Sequence, residues 1–144
     1  MLMASHLAGV GQASGTGVGL VHALGHSIGT RGKVAHGTAL AAVLPEVLRF
    51  YLGTRDRELA LVGIALGVAS AAETDSTAAG AAIGAIDKLL RDLDQRPTLR
   101  RLGLADDDTI ARLTTDTIVD AAIRNSPRLP TASEARAILE AVTG

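Results

Sequence analysis

Three histidines near the start of the chain are its strongest candidates for chemistry. His22 and His26 lie four residues apart, so on a helix both imidazoles project from one face, one turn above the other. His36 follows ten residues later, after a glycine-rich turn. The sequence around them is apolar and holds no Asp or Glu before Glu46. Imidazoles gathered in such a setting suggest a metal site or a proton relay.

Plainer explanations of the same histidines stay open. A pair at this spacing on an apolar face can be satisfied by backbone carbonyls without any metal. The Glu of the helical zinc-protease motif is missing, because Ala23 follows His22. His6 has no paired donor nearby, and we expect it to be a structural or surface histidine.

A run of glycines precedes the first of the three histidines. The segment Ser14-Gly-Thr-Gly-Val-Gly19 superficially resembles a phosphate-binding loop. It lacks both the preceding strand of a dinucleotide fingerprint and the Gly-Lys-Ser/Thr ending of a P-loop. We therefore expect these glycines to serve close helix packing or a chain break beside the histidine site.

The composition limits the classes of protein and of partner. With 144 residues the chain is long enough for one domain with a core. A net charge of −1 gives no electrostatic reason to expect nucleic acid or an anionic membrane as a partner. The chain has no cysteine, so any metal must be held by nitrogen and oxygen ligands. A cytoplasmic location fits this composition.

The first 45 residues carry only two formally charged side chains, Arg31 and Lys33. A membrane-spanning helix is not expected there, because Gln12, Ser14 and several glycines interrupt the apolar sequence. A small intramembrane helical protein is the minor alternative. We expect the surfaces of this region to pack against something outside the chain.

The remaining pattern predicts an all-α fold, a bundle of six or seven helices forming one domain over residues 1–144. Ala and Leu dominate, apolar positions recur at helical spacing, and strand signals are almost absent. The predicted helices are 1–12 (buried), 18–28, 36–51 (kinked or interrupted at Pro45), 56–68, 76–93, 106–123 and 131–142, with a short helical turn at 97–102. Arg96, Arg100 and Arg101 are expected on a solvated face, and Asp106, Asp107 and Asp108 in the first turn of a helix.

The histidine segment resembles the metal-binding region of the iron-containing (group III) alcohol dehydrogenases. The matching stretches are Ala4-Ser5, Leu7-Ala8-Gly9, Gly19-Leu-Val-His22-Ala-Leu-Gly-His26-Ser-Ile-Gly29, His36-Gly37, Leu44-Pro45, Pro97-Thr-Leu-Arg-Arg-Leu-Gly-Leu and Asn125-Ser-Pro127. The resemblance implies the C-terminal helical domain of the dehydroquinate synthase-like fold. Ser27, Leu40 and Glu46 depart from residues common in that family, which bears on substrate preference.

The resemblance also implies a role for each histidine. His22 and His36 would be ligands of Fe²⁺ or Zn²⁺, and His26 would lie near the nicotinamide and the substrate as a polar or proton-relay residue. The family's other two metal ligands, an Asp and a His, and its domain for NAD or NADP come from sequence N-terminal to this stretch. The expected function is therefore the metal-binding part of an alcohol dehydrogenase that acts on a small alcohol or aldehyde.

Two organisations of the protein stay open. The chain can be part of a longer dehydrogenase, or a separate helical module that pairs with a second chain, as a subunit of a split enzyme or as a non-catalytic binding module. A homo-oligomer is compatible with either.

Overall fold

The structure, a computed structural model, describes residues 1–15 and 17–144, and Thr16 lies outside this description. Within these residues it contains seven α-helices, one short 3-10 helix and no strand, which confirms the predicted all-α fold. The helices are α1 (Leu2–Ser14), α2 (Leu20–Gly32), α3 (His36–Phe50), α4 (Asp56–Ala65), α5 (Asp75–Asp92), α6 (Asp107–Val119), the 3-10 helix (Ala121–Asn125) and α7 (Ala132–Ala141).

Helix α2 runs through the main core and is flanked by α3 and α6, while α7 packs against both of these. Its apolar face is fully buried, with Leu20, Leu24 and Ile28 all at 0% exposure. Removing one such leucine side chain from water contributes about 1.5–3 kcal/mol. The partners are Val43 and Val47 of α3, Leu113 of α6 and Leu139 of α7, which belong to the same apolar cluster.

Helices α4 and α5 form a closely packed hairpin at one side of the bundle. A Cβ on Gly63 of α4 would lie only 2.7 Å from the carbonyl oxygen of Ala78 on α5, so a larger residue there would force the two helices to shift. The hairpin has a small core of its own, made of Leu59, Ala79 and Ile83. Helix α5 also packs on α3, and this contact holds the hairpin against the bundle.

The expectation that Arg96 lies on a solvated face is wrong. Its side chain is 8% exposed and donates to Glu46 at 2.9 Å, to Asp87 at 2.7 Å and to the carbonyl of Ala42 at 2.6 Å. The two carboxylates come from α3 and α5, so a guanidinium between them joins the helices. The sequence showed a cluster of arginines, but the burial of one member depends on acids about 50 and 9 residues away along the chain.

Helix α1 is not buried within this chain, contrary to the prediction for residues 1–12. None of its residues is buried, and among the described residues it contacts no other helix. Its apolar side chains therefore face outward, including Leu2 (89% exposed) and Leu7 (61% exposed). His6 is also exposed there, in line with a surface histidine.

Several predicted boundaries needed correction. Helix α2 continues past Gly29 to Gly32, so the expected turn begins only at Lys33. Helix α3 runs from His36 to Phe50 and is not interrupted at Pro45. Residues 99–103 form hydrogen-bonded turns, with a bond from the N–H of Leu102 to the carbonyl of Thr98, in line with the predicted short helical turn at 97–102. The predicted helix 106–123 is interrupted at Asp120.

The predicted helix starts were more accurate. Asp106 accepts the backbone N–H of Thr109 at the start of α6, followed by two acids in the first turn. Thr131 and Glu134 form a capping box at the start of α7. No helix of the described chain is both long enough and apolar enough to cross a lipid bilayer.

Candidate metal centre

The two helices that carry the histidines approach each other closely because one of them has a glycine at the contact. Gly25 of α2 is buried, and a Cβ there would come 2.4 Å from Cδ2 of Leu40 on α3. Gly25 lies between His22 and His26 in the sequence. The same short stretch thus carries two imidazoles and, between them, a glycine that leaves room for α3.

A left-handed residue brings the third histidine back toward the first two. Helix α2 ends at Gly32, the following Lys33 has φ +50° and ψ +38°, and the chain then reverses. α3 starts at His36, so this side chain is placed at the end of α3 that lies next to α2. A reversal within three residues is what allows groups ten positions apart to meet.

The three imidazoles form one cluster. The ring centroids of His22 and His36 are 5.2 Å apart, those of His26 and His36 5.7 Å, and those of His22 and His26 5.9 Å. The structure therefore brings together all three histidines singled out in the sequence. The cluster is not a closed cage, however: in residues 1–15 and 17–144, no three His, Cys, Asp or Glu side chains are arranged to hold a metal ion by themselves.

The electrostatic setting favours an uncharged imidazole at His22. Burial lowers the pKa of His22, the neighbouring His36 and His26 lower it further, and Asp120 opposes the shift. A neutral imidazole keeps a lone pair, which is the form that binds a metal. The residue is thus suited to be a nitrogen ligand near neutral pH.

Asp120 is a site residue that the sequence analysis missed. Its Oδ2 lies 2.9 Å from Nδ1 of His26, and its Oδ1 accepts the backbone N–H of Ala122 at 2.7 Å. The spacing of 94 residues hides the pair from any motif. The available signal was only the residue type, since Asp is a poor residue inside a helix and a good one at a helix start.

A large cleft opens beside the cluster. It has a volume of about 960 Å³ and is lined by the chain before and at the start of α2, by one side of α3, by Arg55 and Glu58 at the start of α4, and by the end of the 3-10 helix with the two residues that follow it. His22 lines this cleft, whereas His26 and His36 line a smaller groove of about 310 Å³. The histidine cluster therefore borders both openings.

The glycines before α2 allow the cleft wall to form. Gly17 has φ +72°, and a Cβ there would come 3.0 Å from Nδ2 of Asn125. That amide donates to the carbonyl of Val18 at 3.1 Å, and Gly19 packs in the same way against Ser126. At these two positions the expected packing role is confirmed, while Thr16 of the same segment lies outside the described residues.

Two hydroxyl groups lie in the wall of this cleft. Tyr51 is buried, and that burial raises the pKa of its phenol. The hydroxyl oxygen of Ser126 is also buried, and it lies close enough to the Tyr51 phenol to oppose that shift. Both groups line an opening that combines apolar side chains, such as Leu40 and Leu44, with three charged ones.

Two of the positions that depart from the family's common residues have structural partners. Ser27 is buried, donates to the carbonyl of Leu24 at 2.8 Å and lies 3.2 Å from the hydroxyl of Thr117. Glu46 belongs to the ion-pair network of Arg96. Both residues therefore make polar contacts within this chain.

Comparison with known proteins identifies the family. The model of the Fe-containing alcohol dehydrogenase family, C-terminal, matches residues 1–143. Lactaldehyde reductase of Escherichia coli (strain K12) is 33% identical over 131 residues, which are 89% of this chain and 33% of that protein. NAD-dependent methanol dehydrogenase of Bacillus methanolicus is 26% identical over 140 residues, or 97% of this chain and 36% of that protein.

A solved structure shows the same arrangement of helices. The crystal structure of 1,3-propanediol oxidoreductase superposes with a TM-score of 0.81 at 28% identity, covering 86% of this chain and 32% of that one. The chain thus spans about a third of the length of the relatives it matches. It belongs to the Fe-containing alcohol dehydrogenase family and corresponds to that family's C-terminal region.

Proposed function

We propose that this chain is the helical, metal-binding part of an NAD(P)-dependent alcohol dehydrogenase, with His22 and His36 as metal ligands and His26 as a proton relay. The observation that carries this proposal is the convergence of three imidazoles, 5.2–5.9 Å apart, in a chain of this family. The named activities of the relatives, on lactaldehyde, methanol and 1,3-propanediol, suggest a small alcohol or aldehyde as substrate.

The donors present fit a divalent ion of the Fe²⁺ or Zn²⁺ type. Imidazole nitrogen suits both ions, and the lowered pKa of His22 keeps its lone pair available. When bound, the metal supplies Lewis acidity that makes an alcohol hydroxyl easier to deprotonate, and the nicotinamide accepts hydride. His26, whose side chain is 43% exposed, can pass the released proton onward from the groove that it shares with His36.

Two imidazoles are too few for a tight site, since zinc sites take four ligands, or three plus water. We infer that the remaining ligands, and the main NAD or NADP site, come from outside these 144 residues, either from a nucleotide-binding domain or from a partner chain. A cytoplasmic location is part of the same proposal. The isolated chain is then expected to bind metal weakly and to show no dehydrogenase activity.

The ligand assignment is tested by replacing each histidine in the complete enzyme. His22→Ala and His36→Ala are expected to lower metal content and activity together, because each removes a nitrogen ligand. His26→Ala is expected to lower activity at nearly full metal content. His6→Ala is the matched control, because His6 lies exposed on α1 away from the cluster. Full metal occupancy in either ligand variant would refute the assignment.

A second organisation has its own supporting observation. Apolar side chains lie exposed on α1 and on α4, among them Leu2, Met3, Leu61 and Ile64. Such surfaces mark contacts with partners or a tendency to aggregate. If the chain is a separate module, affinity purification from its source cells should bring down a nucleotide-binding chain in fixed ratio. Recovery of one longer polypeptide that contains this sequence would exclude that organisation.

A further inference from the structure

We propose that Asp120 is a positioning residue that holds His26 in a single tautomer, with the hydrogen on Nδ1 and with Nε2 free to accept a proton. This inference rests on the proposed function, because it explains how His26 could act as the relay. It adds a residue and a direction of proton transfer that the family match does not supply.

The carboxylate of Asp120 is fixed from two sides. Oδ1 accepts the backbone N–H of Ala122 at 2.7 Å, and Oδ2 lies 2.9 Å from Nδ1 of His26. Asp120 itself has extended backbone angles, φ −65° and ψ +132°, between α6 and the 3-10 helix. The break in the helix thus orients the carboxylate, and one oxygen is left to meet the imidazole of α2.

The chemistry of the pair decides the tautomer. An ionised carboxylate can only accept a hydrogen bond, so the nitrogen of His26 that meets Asp120 must carry the hydrogen. In a neutral imidazole the other nitrogen then has a lone pair. A carboxylate behind an imidazole fixes both the tautomer and the orientation of the ring. His26 is thereby prepared to take a proton rather than to give one.

The pair differs from the ordinary surface ion pair one turn earlier on α6. Asp116 bonds Arg31 of α2 at 2.6 Å, but Arg31 lines neither the cleft nor the histidine groove. His26 lines the groove together with His36, while Asp120, at 22% exposure, is the less exposed partner. Asp116 lies on α6, Asp120 directly follows α6, and both carboxylates meet side chains of α2, so Asp116 offers a matched control for the loss of one carboxylate.

The tautomer can be read directly from the imidazole nitrogens by ¹⁵N NMR of the metal-free chain. At a pH of about 9, well above the ordinary histidine pKa near 6.5, we expect His26 to show a protonated Nδ1 and an unprotonated Nε2. In Asp120→Asn the amide oxygen can keep the bond from Ala122, and its NH₂ then faces Nδ1. The hydrogen should therefore move to Nε2. Asp116→Asn should leave the wild-type tautomer in place.

The position of the hydrogen on the His26 imidazole decides for or against the proposal. A wild-type His26 with its hydrogen on Nε2 would overturn the proposal, and so would a folded Asp120→Asn chain with an unchanged tautomer. If that variant does not fold, the wild-type spectrum still decides. The measurement needs no metal, cofactor or turnover, so it stands apart from the metal-content test of His22 and His36.

Turnover in the complete enzyme tests the functional consequence. Asp120→Asn is expected to lower kcat by roughly 10- to 100-fold, with little change in KM and with full metal content. Asp116→Asn should retain the wild-type kcat. A purely structural role of Asp120 would instead lower metal content or stability together with activity. A wild-type kcat in Asp120→Asn would show that the tautomer does not matter for proton transfer.

Discussion

Helices α1 and α2 are neighbours in the sequence, both are 13 residues long, and both are nearly free of charge, yet they differ completely in burial. Helix α2 buries its apolar face completely between α3 and α6, while α1 contacts no other helix among the described residues. An isolated helix of this length is only marginally stable in water. The difference teaches that apolar sequence shows a need for burial, but the partner that meets this need must be found elsewhere.

The largest expected contrast comes from truncating one leucine in each helix. Leu24→Ala in α2 should lower the free energy of unfolding by about 2–5 kcal/mol, because it leaves a cavity at a fully buried position. Leu7→Ala in α1, at 61% exposure, should change it by less than about 0.5 kcal/mol. Urea denaturation of both variants measures the difference. Equal losses would mean that α1 is packed as firmly as α2.

A smaller contrast uses two glycines. Gly63→Ala should destabilise by about 1–3 kcal/mol, because its Cβ would lie 2.7 Å from a backbone oxygen of α5 that cannot move alone. Gly9→Ala in α1 meets nothing within 4 Å, so it should raise helix content without lowering stability. Far-UV circular dichroism and urea melts distinguish the two. Stabilisation by Gly63→Ala would contradict the close packing of α4 on α5.

The smallest expected effect concerns two carboxylates, one in the packed region and one on the open surface. Burial alone would raise the pKa of Asp87, but hydrogen bonds from Arg96 and Arg91 outweigh it, so the pKa is lowered. Arg101 likewise lowers the pKa of Asp94, which is 79% exposed. A carboxylate with a lowered pKa stabilises the fold above its unfolded pKa, near 3.8, and loses that contribution as the pH falls through the folded value.

The two carboxylates should therefore differ in acid. Asp87→Asn should flatten the loss of stability below a pH of about 4 clearly, whereas Asp94→Asn should hardly change it, because solvent screens an exposed pair. Thermal melts between a pH of about 2 and 6 measure this slope. Equal slopes in both variants would place the Arg96 network in solvent rather than between α3 and α5.

The sequence alone determined the helical fold class, most helix starts and the three histidines. Helical spacing of apolar residues fixes which face is buried, and caps such as Thr131 act within one turn, so both can be read locally. The pair His22 and His26 could also be predicted, because a helix fixes their common face.

Only the tertiary structure decided which groups meet across long separations. It placed Asp120 against His26, buried Arg96 between two acids, and left α1 without a helix partner among the described residues. The physical reason is range: propensity and capping act over about four residues, whereas these contacts depend on how whole helices pack. The imidazoles of the site could therefore be predicted from the sequence, whereas the contact of Asp120 with His26 depends on the packing of the helices.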